Sequence, residues 1–321
     1  MEAYAAPPDL TLAVCGLLGG IIIIGLGLSR SRPSAAIRTL AWLLVPAAIV
    51  VADRISSEAP AGFRMLAICG ATLFSMKAVV SVESSAAGDR PPPWSAWLLW
   101  CVPWFGMRPA IFARRGTSPL PGARTLALRG ATRGAIGLLF VGCAWWLAPH
   151  TSLAVATVPL LVGLSLCVHF GAFNLIAAAL RSRGYNVKAL FRAPLLSTSL
   201  REFWGKRWNL AFSEMAAIAV FRPLKRPFGA TPATVVAFLF SGLLHEIAIS
   251  LPVRGGYGLP LVYFVLHGIL MQVETALDRR GRPIDARPWV GRLWTVSWLV
   301  LPAPILFHPA FLEGVAFPLL S

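Results

Sequence analysis

Apolar residues gather in eight long runs, at 10–28, 38–52, 62–83, 134–149, 152–180, 233–251, 257–277 and 292–308, the last with an apolar continuation toward 320. Polar, arginine-rich stretches separate them. A membrane-crossing helix needs about 20 mostly apolar residues, so the pattern predicts about eight spans. A ninth run, 93–107, is short, rich in tryptophan and broken by Pro103 and Gly106, which predicts an interfacial or re-entrant segment. No repeat, long linker or low-complexity tail interrupts the pattern. The expected fold is therefore all-α, a polytopic membrane helix bundle forming a single membrane-embedded domain over 1–321.

Composition agrees. The 321 residues are 57% hydrophobic and 13% charged, with mean hydropathy +0.70, against about 25% charged in soluble domains. The net charge of +16 does not describe a nucleic-acid surface, because the cations sit in short segments between apolar runs. Those at 29–38, 108–133, 181–228 and 279–292 fall on one side if the N-terminus is outside, leaving Arg54, Arg64 and Arg254 on the other. By the positive-inside rule the basic side is cytoplasmic. The expectation is a multi-pass integral membrane protein. Arginine outnumbers lysine 25 to 4, as in GC-rich bacterial genes, so a bacterial inner membrane is expected, or the endoplasmic reticulum in a eukaryote. Residues 1–10 carry Glu2 and Asp9 and no cation, so the first run reads as a retained span rather than a signal peptide. Five cysteines without ligand spacing imply neither disulfide nor metal and are expected to be buried thiols.

The segment Ser199 to Asn209 holds the first candidate chemistry. Ser199 and Glu202 have capping-box spacing. Leu200, Phe203, Trp204 and Trp208 then share one face, predicting an interfacial amphipathic helix at about 200–208. Lys206 and Arg207 lie on it, and Arg222, Lys225 and Arg226 follow. Two roles fit: an anchor in the headgroup layer, or the floor of a pocket for a phosphate-bearing donor, since arginine binds phosphate oxygens in pairs. Residue counts do not separate them.

The second candidate lies in the sixth run, Ser241-Gly242-Leu243-Leu244-His245-Glu246. His245 stands about 18 Å into that span at 1.5 Å per residue. Ionisable groups at such depth face a cavity or the protein interior and mark function, although a histidine bonded to a neighbouring carbonyl is the plainer alternative. Ser241 and Gly242 admit a close neighbour, and Glu246 points about 100° away on the helix. His267 and Glu274 share a face of the next span and either line the cavity or support it. His169 reaches the interior with little assigned to it, His150 and His308 sit at span ends, and Lys77 is expected to snorkel. Neutral imidazole is the usual general base, and no nucleophile-elbow motif appears, which favours direct attack by an acceptor hydroxyl.

These residues carry a resemblance. The string Ser199 to Asn209 resembles the Ser-Leu-x-x-Phe-Trp-Gly-Arg-Arg-Trp-Asn signature of the wax synthase-like branch of the membrane-bound O-acyltransferase (MBOAT) family, with Lys206 replacing the first arginine. Ser241 to Glu246 is similar to its Ser-Gly-x-x-His-Glu segment, Leu266-His267-Gly268 with Glu274 to its next helix, and Trp104-Phe105-Gly106-Met107 to a Trp-Pro-Gly-Met element. The signature region covers about 197–278. The resemblance implies an MBOAT-like acyltransferase that moves a fatty acyl group from acyl-CoA to the hydroxyl of a lipophilic alcohol. It implies His245 as catalytic base and Asn209 as the second signature residue. Phe203, Trp204, Lys206, Arg207, Trp208, Arg222, Lys225 and Arg226 are then candidates for acyl-CoA binding. Acyl-CoA is a co-substrate, with no tightly bound cofactor, no metal and no obligate protein partner expected. A sterol, terpenoid, polyketide or sugar acceptor would use the same chemistry, and a lipid transporter or scramblase using the same polar groups is the reading from another class.

Overall fold

The computed structural model describes residues 2–320, and these contain helices and no strand. Among the described residues eight helices are long and apolar enough to cross a membrane, matching the eight expected spans. The chain divides into two compact units, residues 1–190 with 312–321, and residues 191–311.

The first unit contains α1 (Pro8–Arg30), α2 (Ala35–Ile55), α3 (Ala61–Ala86), the two-turn α4 (Trp94–Cys101), α5 (Ala123–Leu147) and α6 (Leu153–Ser182). Ser34 and Ser152 start α2 and α6 by accepting the N–H groups of Ile37 and Val155, the N-cap bond that satisfies an orphan amide. Helix α5 begins eleven residues before the apolar run at 134, since its first turns carry Arg124, Arg129 and Arg133. Charged side chains at a span end hide the helix from hydropathy while their stems still cover apolar surface. Helices α5 and α6 meet through glycine: a Cβ at Gly137 would stand 2.6 Å from Cys167 Sγ and 2.8 Å from Gly163 O. Small residues permit this backbone approach where lipid supplies no hydrophobic drive for helix pairing.

Lys77 departs from expectation. It is fully buried rather than snorkelled. Its ammonium donates to the carbonyl of Trp100 at 2.6 Å and to that of Trp104, and stands 4.3 Å from the centre of the Trp100 ring. The Trp97 and Trp100 indoles donate to Ser81 Oγ and Gly106 O. Pro103 and Gly106 end α4 as a short turn, and Lys77 collects the carbonyls freed there. The thiols also differ: only Cys101 is buried, while Cys15 and Cys143 lie on the outer surface of their helices. Thiols are apolar enough to face lipid, so burial was not required of them.

The second unit contains α7 (Leu200–Glu202), α8 (Leu210–Ala216), α9 (Arg222–Phe228), α10 (Ala230–Val253), α11 (Leu259–Arg279) and α12 (Pro288–Leu306). Helix α7 is a single turn, and Phe203–Arg207 continues it as a π-turn closed by Trp208 N–H to Phe203 O at 2.8 Å. Two further π-turns follow among the described residues of this unit, Ala217–Phe221 after α8 and Glu246–Ser250 directly after His245 within α10. Such insertions are rare and concentrate at functional sites.

Candidate active site

The motif expected as one amphipathic helix is a folded corner held from several sides. Ser199 caps it, accepting Glu202 N–H at 3.1 Å, while Glu202 accepts from Thr198 N–H at 2.9 Å. Glu202 also receives Arg207 Nε at 2.8 Å. Burial would raise the Glu202 pKa, but the Thr198 and Arg207 hydrogen bonds outweigh it and hold the carboxyl below its ordinary range. Phe203 stacks on Trp208 with centroids 5.5 Å apart and meets Trp204 edge-on at 5.0 Å. Because the turn is π rather than α, the aromatic face predicted from a 3.6-residue period is redistributed: Phe203 is buried, and Trp204 and Trp208 are half-buried.

Glu274 receives this corner. Its carboxylate accepts Leu200 N–H at 2.6 Å, Arg201 N–H at 3.0 Å and the Trp294 indole at 3.0 Å. Arg201 bridges on to Asp278. A buried carboxylate on the first amides of a helix satisfies orphan donors and opposes the positive helix end. Glu274 thus latches the motif onto α11.

Asn209 ends the π-turn in the left-handed region, at φ 40° and ψ 59°, and its Oδ1 accepts Phe212 N–H at 3.3 Å to cap α8. Asparagine tolerates that conformation better than other side-chain-bearing residues. The break sends α8 away at an angle that brings the Phe212 ring to 5.5 Å from His245. Ser213 Oγ donates to Trp204 O at 2.6 Å, tying α8 back to the π-turn.

His245 is the last α-helical residue before the π-turn in α10. Its Nδ1 lies 2.7 Å from Ser241 O. A carbonyl only accepts, so Nδ1 carries the hydrogen, and Nε2 of the neutral ring keeps its lone pair. Phe264 packs on the imidazole with centroids 4.0 Å apart. On its other neighbours Phe264 meets Trp204 at 5.5 Å. The two signatures therefore converge on one residue of α11, Phe264, with Trp204 reaching it from the motif and His245 from α10.

The remaining candidates separate around this cluster. The Ser241 hydroxyl donates to Ala237 O at 2.8 Å, so Ser241 contributes its carbonyl to His245 rather than its side chain. Gly242 lets α11 in: a Cβ there would stand 2.6 Å from Leu261 Cδ1. Glu246 Oε1 accepts Leu261 N–H at 2.9 Å, at the start of α11, and its Oε2 is buried without a hydrogen-bond partner among the described residues. His267 is fully buried, bonded through Nδ1 to Tyr263 O at 2.8 Å, and lies 5.5 Å from the Trp204 ring. Lys206, Arg222, Lys225 and Arg226 are exposed, the last three at i, i+3 and i+4 of α9, whereas Arg207 is paired with Glu202. Among the described residues no group of three or more His, Cys, Asp or Glu side chains could hold a metal ion.

Phe238 and Phe264 carry no signal in the sequence because aromatic residues in spans are ordinary, and Phe212 carries none because it lies in a short helix outside the spans. Phe212 stands three residues after Asn209, and Phe264 three before His267. His308, read as a plain span end, is buried, with Nε2 3.4 Å from Ser250 Oγ and Nδ1 accepting Phe311 N–H. Burial lowers its pKa, and the Glu246 carboxylate opposes that shift. In the first unit, His169 Nδ1 lies 3.1 Å from Ser165 Oγ within the π-segment Leu166–Ala172.

Known proteins bear on this cluster. Residues 187–266 match the family model described as membrane bound O-acyl transferase family. The chain is similar to a probable long-chain-alcohol O-fatty-acyltransferase 6 of Arabidopsis thaliana, 34% identical over 136 residues, or 39% of each chain. It is also similar to probable long-chain-alcohol O-fatty-acyltransferase 9 of that plant, 32% identical over 143 residues, covering 41% of this chain and 42% of the relative. A long-chain-alcohol O-fatty-acyltransferase of Simmondsia chinensis is 30% identical over 159 residues, covering 44% of this chain and 45% of the relative. The matched stretch thus spans about two fifths of the length of these curated relatives. Over residues 187–266, which hold the folded corner, Asn209, His245 and Phe264, the expected resemblance to the membrane-bound O-acyltransferases is therefore borne out.

Proposed function

We propose that this protein is a multi-pass membrane acyltransferase that moves a fatty acyl group from acyl-CoA to the hydroxyl of a long-chain alcohol. The observation that carries the reading is His245. Its Nδ1 hydrogen is engaged by Ser241 O, which leaves Nε2 as a proton acceptor inside an aromatic cluster shared with the signature motif. In this scheme Nε2 takes the hydroxyl proton while the alcohol oxygen attacks the thioester carbonyl. A C–O bond forms, the C–S bond breaks, and CoA leaves as thiolate and recovers the proton from the imidazolium. Proton transfer by a positioned side chain contributes about 10²–10⁴-fold.

Donor binding falls to the exposed cations. Lys206, Arg222, Lys225 and Arg226 are assigned to the CoA phosphates, with Phe203, Trp204 and Trp208 around the thioester end. Arg207, engaged by Glu202, shapes the corner. Asn209 fixes the left-handed break that aims Phe212 at His245. The basic segments lie on the cytoplasmic side, so the donor enters from there and the apolar acceptor arrives through the lipid. The names of the similar proteins favour a long-chain alcohol over a sterol, terpenoid, polyketide or sugar.

The test supplies membranes containing the protein with labelled acyl-CoA and a panel of alcohols, and identifies products by mass spectrometry. Wax esters formed with long-chain alcohols are expected. Ester formation no greater than in membranes lacking the protein, for every alcohol offered, would overturn the reading.

A further inference from the structure

The indole N–H of Trp204 has no part in the scheme above. Tryptophan is a donor only, and Trp204 Nε1 is buried with no acceptor among the described residues. Three other interior indoles are satisfied: Trp97, Trp100 and Trp294 donate to Ser81, Gly106 and Glu274. Buried donors are nearly always bonded, and an exception calls for an explanation. This one is held firmly. Phe203, Phe238, Phe264 and His267 surround the ring, and Trp204 O accepts from Ser213 Oγ at 2.6 Å.

Its position relative to the base supplies the second observation. Trp204 and His245 both pack on the Phe264 ring, 5.5 and 4.0 Å from its centre, so their own ring centres are no more than about 10 Å apart. A base, an attacking oxygen, a carbonyl carbon, its oxygen and a donor, joined at hydrogen-bonding and reacting distances, span about 6–8 Å from base nitrogen to donor nitrogen. That bound lets the two groups reach one reacting carbonyl.

We propose that the Trp204 N–H donates a hydrogen bond to the thioester carbonyl oxygen of the acyl donor as that oxygen gains negative charge. This rests on the acyl-transfer reading. As the alcohol oxygen bonds to carbon, the carbonyl pair moves onto oxygen and is met by the indole. It returns as the C–S bond breaks, while the hydroxyl proton travels through His245 to sulfur. The indole keeps its own hydrogen throughout.

The test replaces Trp204 with phenylalanine and, separately, with benzothienylalanine, which keeps the shape and puts sulfur where the N–H stands. Rates are read with acyl-CoA and a long-chain alcohol. Binding is read with two unreactive donor analogues, a ketone that keeps the carbonyl and a thioether that lacks it. The expected result is a kcat lower by about 10²–10³-fold with KM for acyl-CoA within about threefold. Wild type should prefer the ketone to the thioether, and both variants should lose that preference. A benzothienylalanine protein with kcat within about threefold of wild type overturns the proposal, as does an unchanged ketone preference. His245→Ala separates the two levels: if it abolishes activity while the Trp204 variants remain active, only the indole's role fails, and if it leaves activity intact the acyl-transfer mechanism fails with it.

Discussion

Asn209 combines two roles that a simple alanine substitution would confound. It stands in the left-handed region and caps α8 through its side-chain oxygen. Alanine there loses the cap, which costs about 1 kcal/mol, and meets left-handed strain of about 1–2 kcal/mol. Asn209→Ala should therefore destabilise the second unit by about 2–3 kcal/mol. Glycine carries no strain penalty, and a glycine cap costs only a few tenths of a kcal/mol relative to asparagine. Aspartate keeps both the conformation and the accepting oxygen and loses only the amide donor. Thermal unfolding in detergent should rank the proteins wild type and Asp together, Gly slightly below, and Ala well below. Ester formation measured on the folded fraction then reads the chemistry. If the amide hydrogens act in the reaction, Asp and Gly lose activity without losing stability. If Asn209 acts only by placing Phe212, Asn209→Gly stays active. An Asn209→Ala protein as stable as Asn209→Gly would refute the assignment of strain and cap to this residue.

Three further outcomes follow from the packing. Lys77→Met should destabilise the first unit by about 2–4 kcal/mol, since it strands the buried carbonyls of Trp100 and Trp104; a snorkelled lysine would tolerate the change with little loss, and thermal unfolding distinguishes the two. Glu274→Gln should weaken the latch on the folded corner by about 2 kcal/mol by removing a charge-assisted acceptor, read as faster hydrogen exchange at the Leu200 and Arg201 amides. Glu202 is held below its ordinary value of 4.5 in the folded protein, so its contribution is present above that value and fades as pH falls through the lower folded pKa. Tryptophan fluorescence of the corner should change on acidification below about 4.5 in wild type, and Glu202→Gln should remove that component.

The spans were legible because hydropathy alone suffices for helices that face lipid on most sides. Helix α5 is instructive, since its first turns were concealed by three arginines whose helical role needs no apolar residue. Lys77 departs from the snorkelling expected of it because distance along a span does not reveal whether a carbonyl-rich turn lies beside it. Ser199, Glu202 and the motif aromatics were visible as a helix start with an apolar face. The π-turn that rearranges that face left no mark, because an inserted residue changes hydrogen bonding without changing composition. His245 and Asn209 stood out as costly residues in their settings. Phe264, where the two signatures meet, did not, because a phenylalanine in a membrane span is common and only its neighbours make it central. The bond from Glu274 to the motif joins positions more than seventy residues apart, and a single sequence carries no signal for such pairings.

The most direct measurement of the central claim is ester production by the purified protein with His245 intact or replaced by alanine, using labelled acyl-CoA and a long-chain alcohol. With wild type active and both proteins folded, a general base at His245 predicts a loss of at least about 10²-fold in turnover. Turnover of the alanine variant within about twofold of wild type would contradict the account.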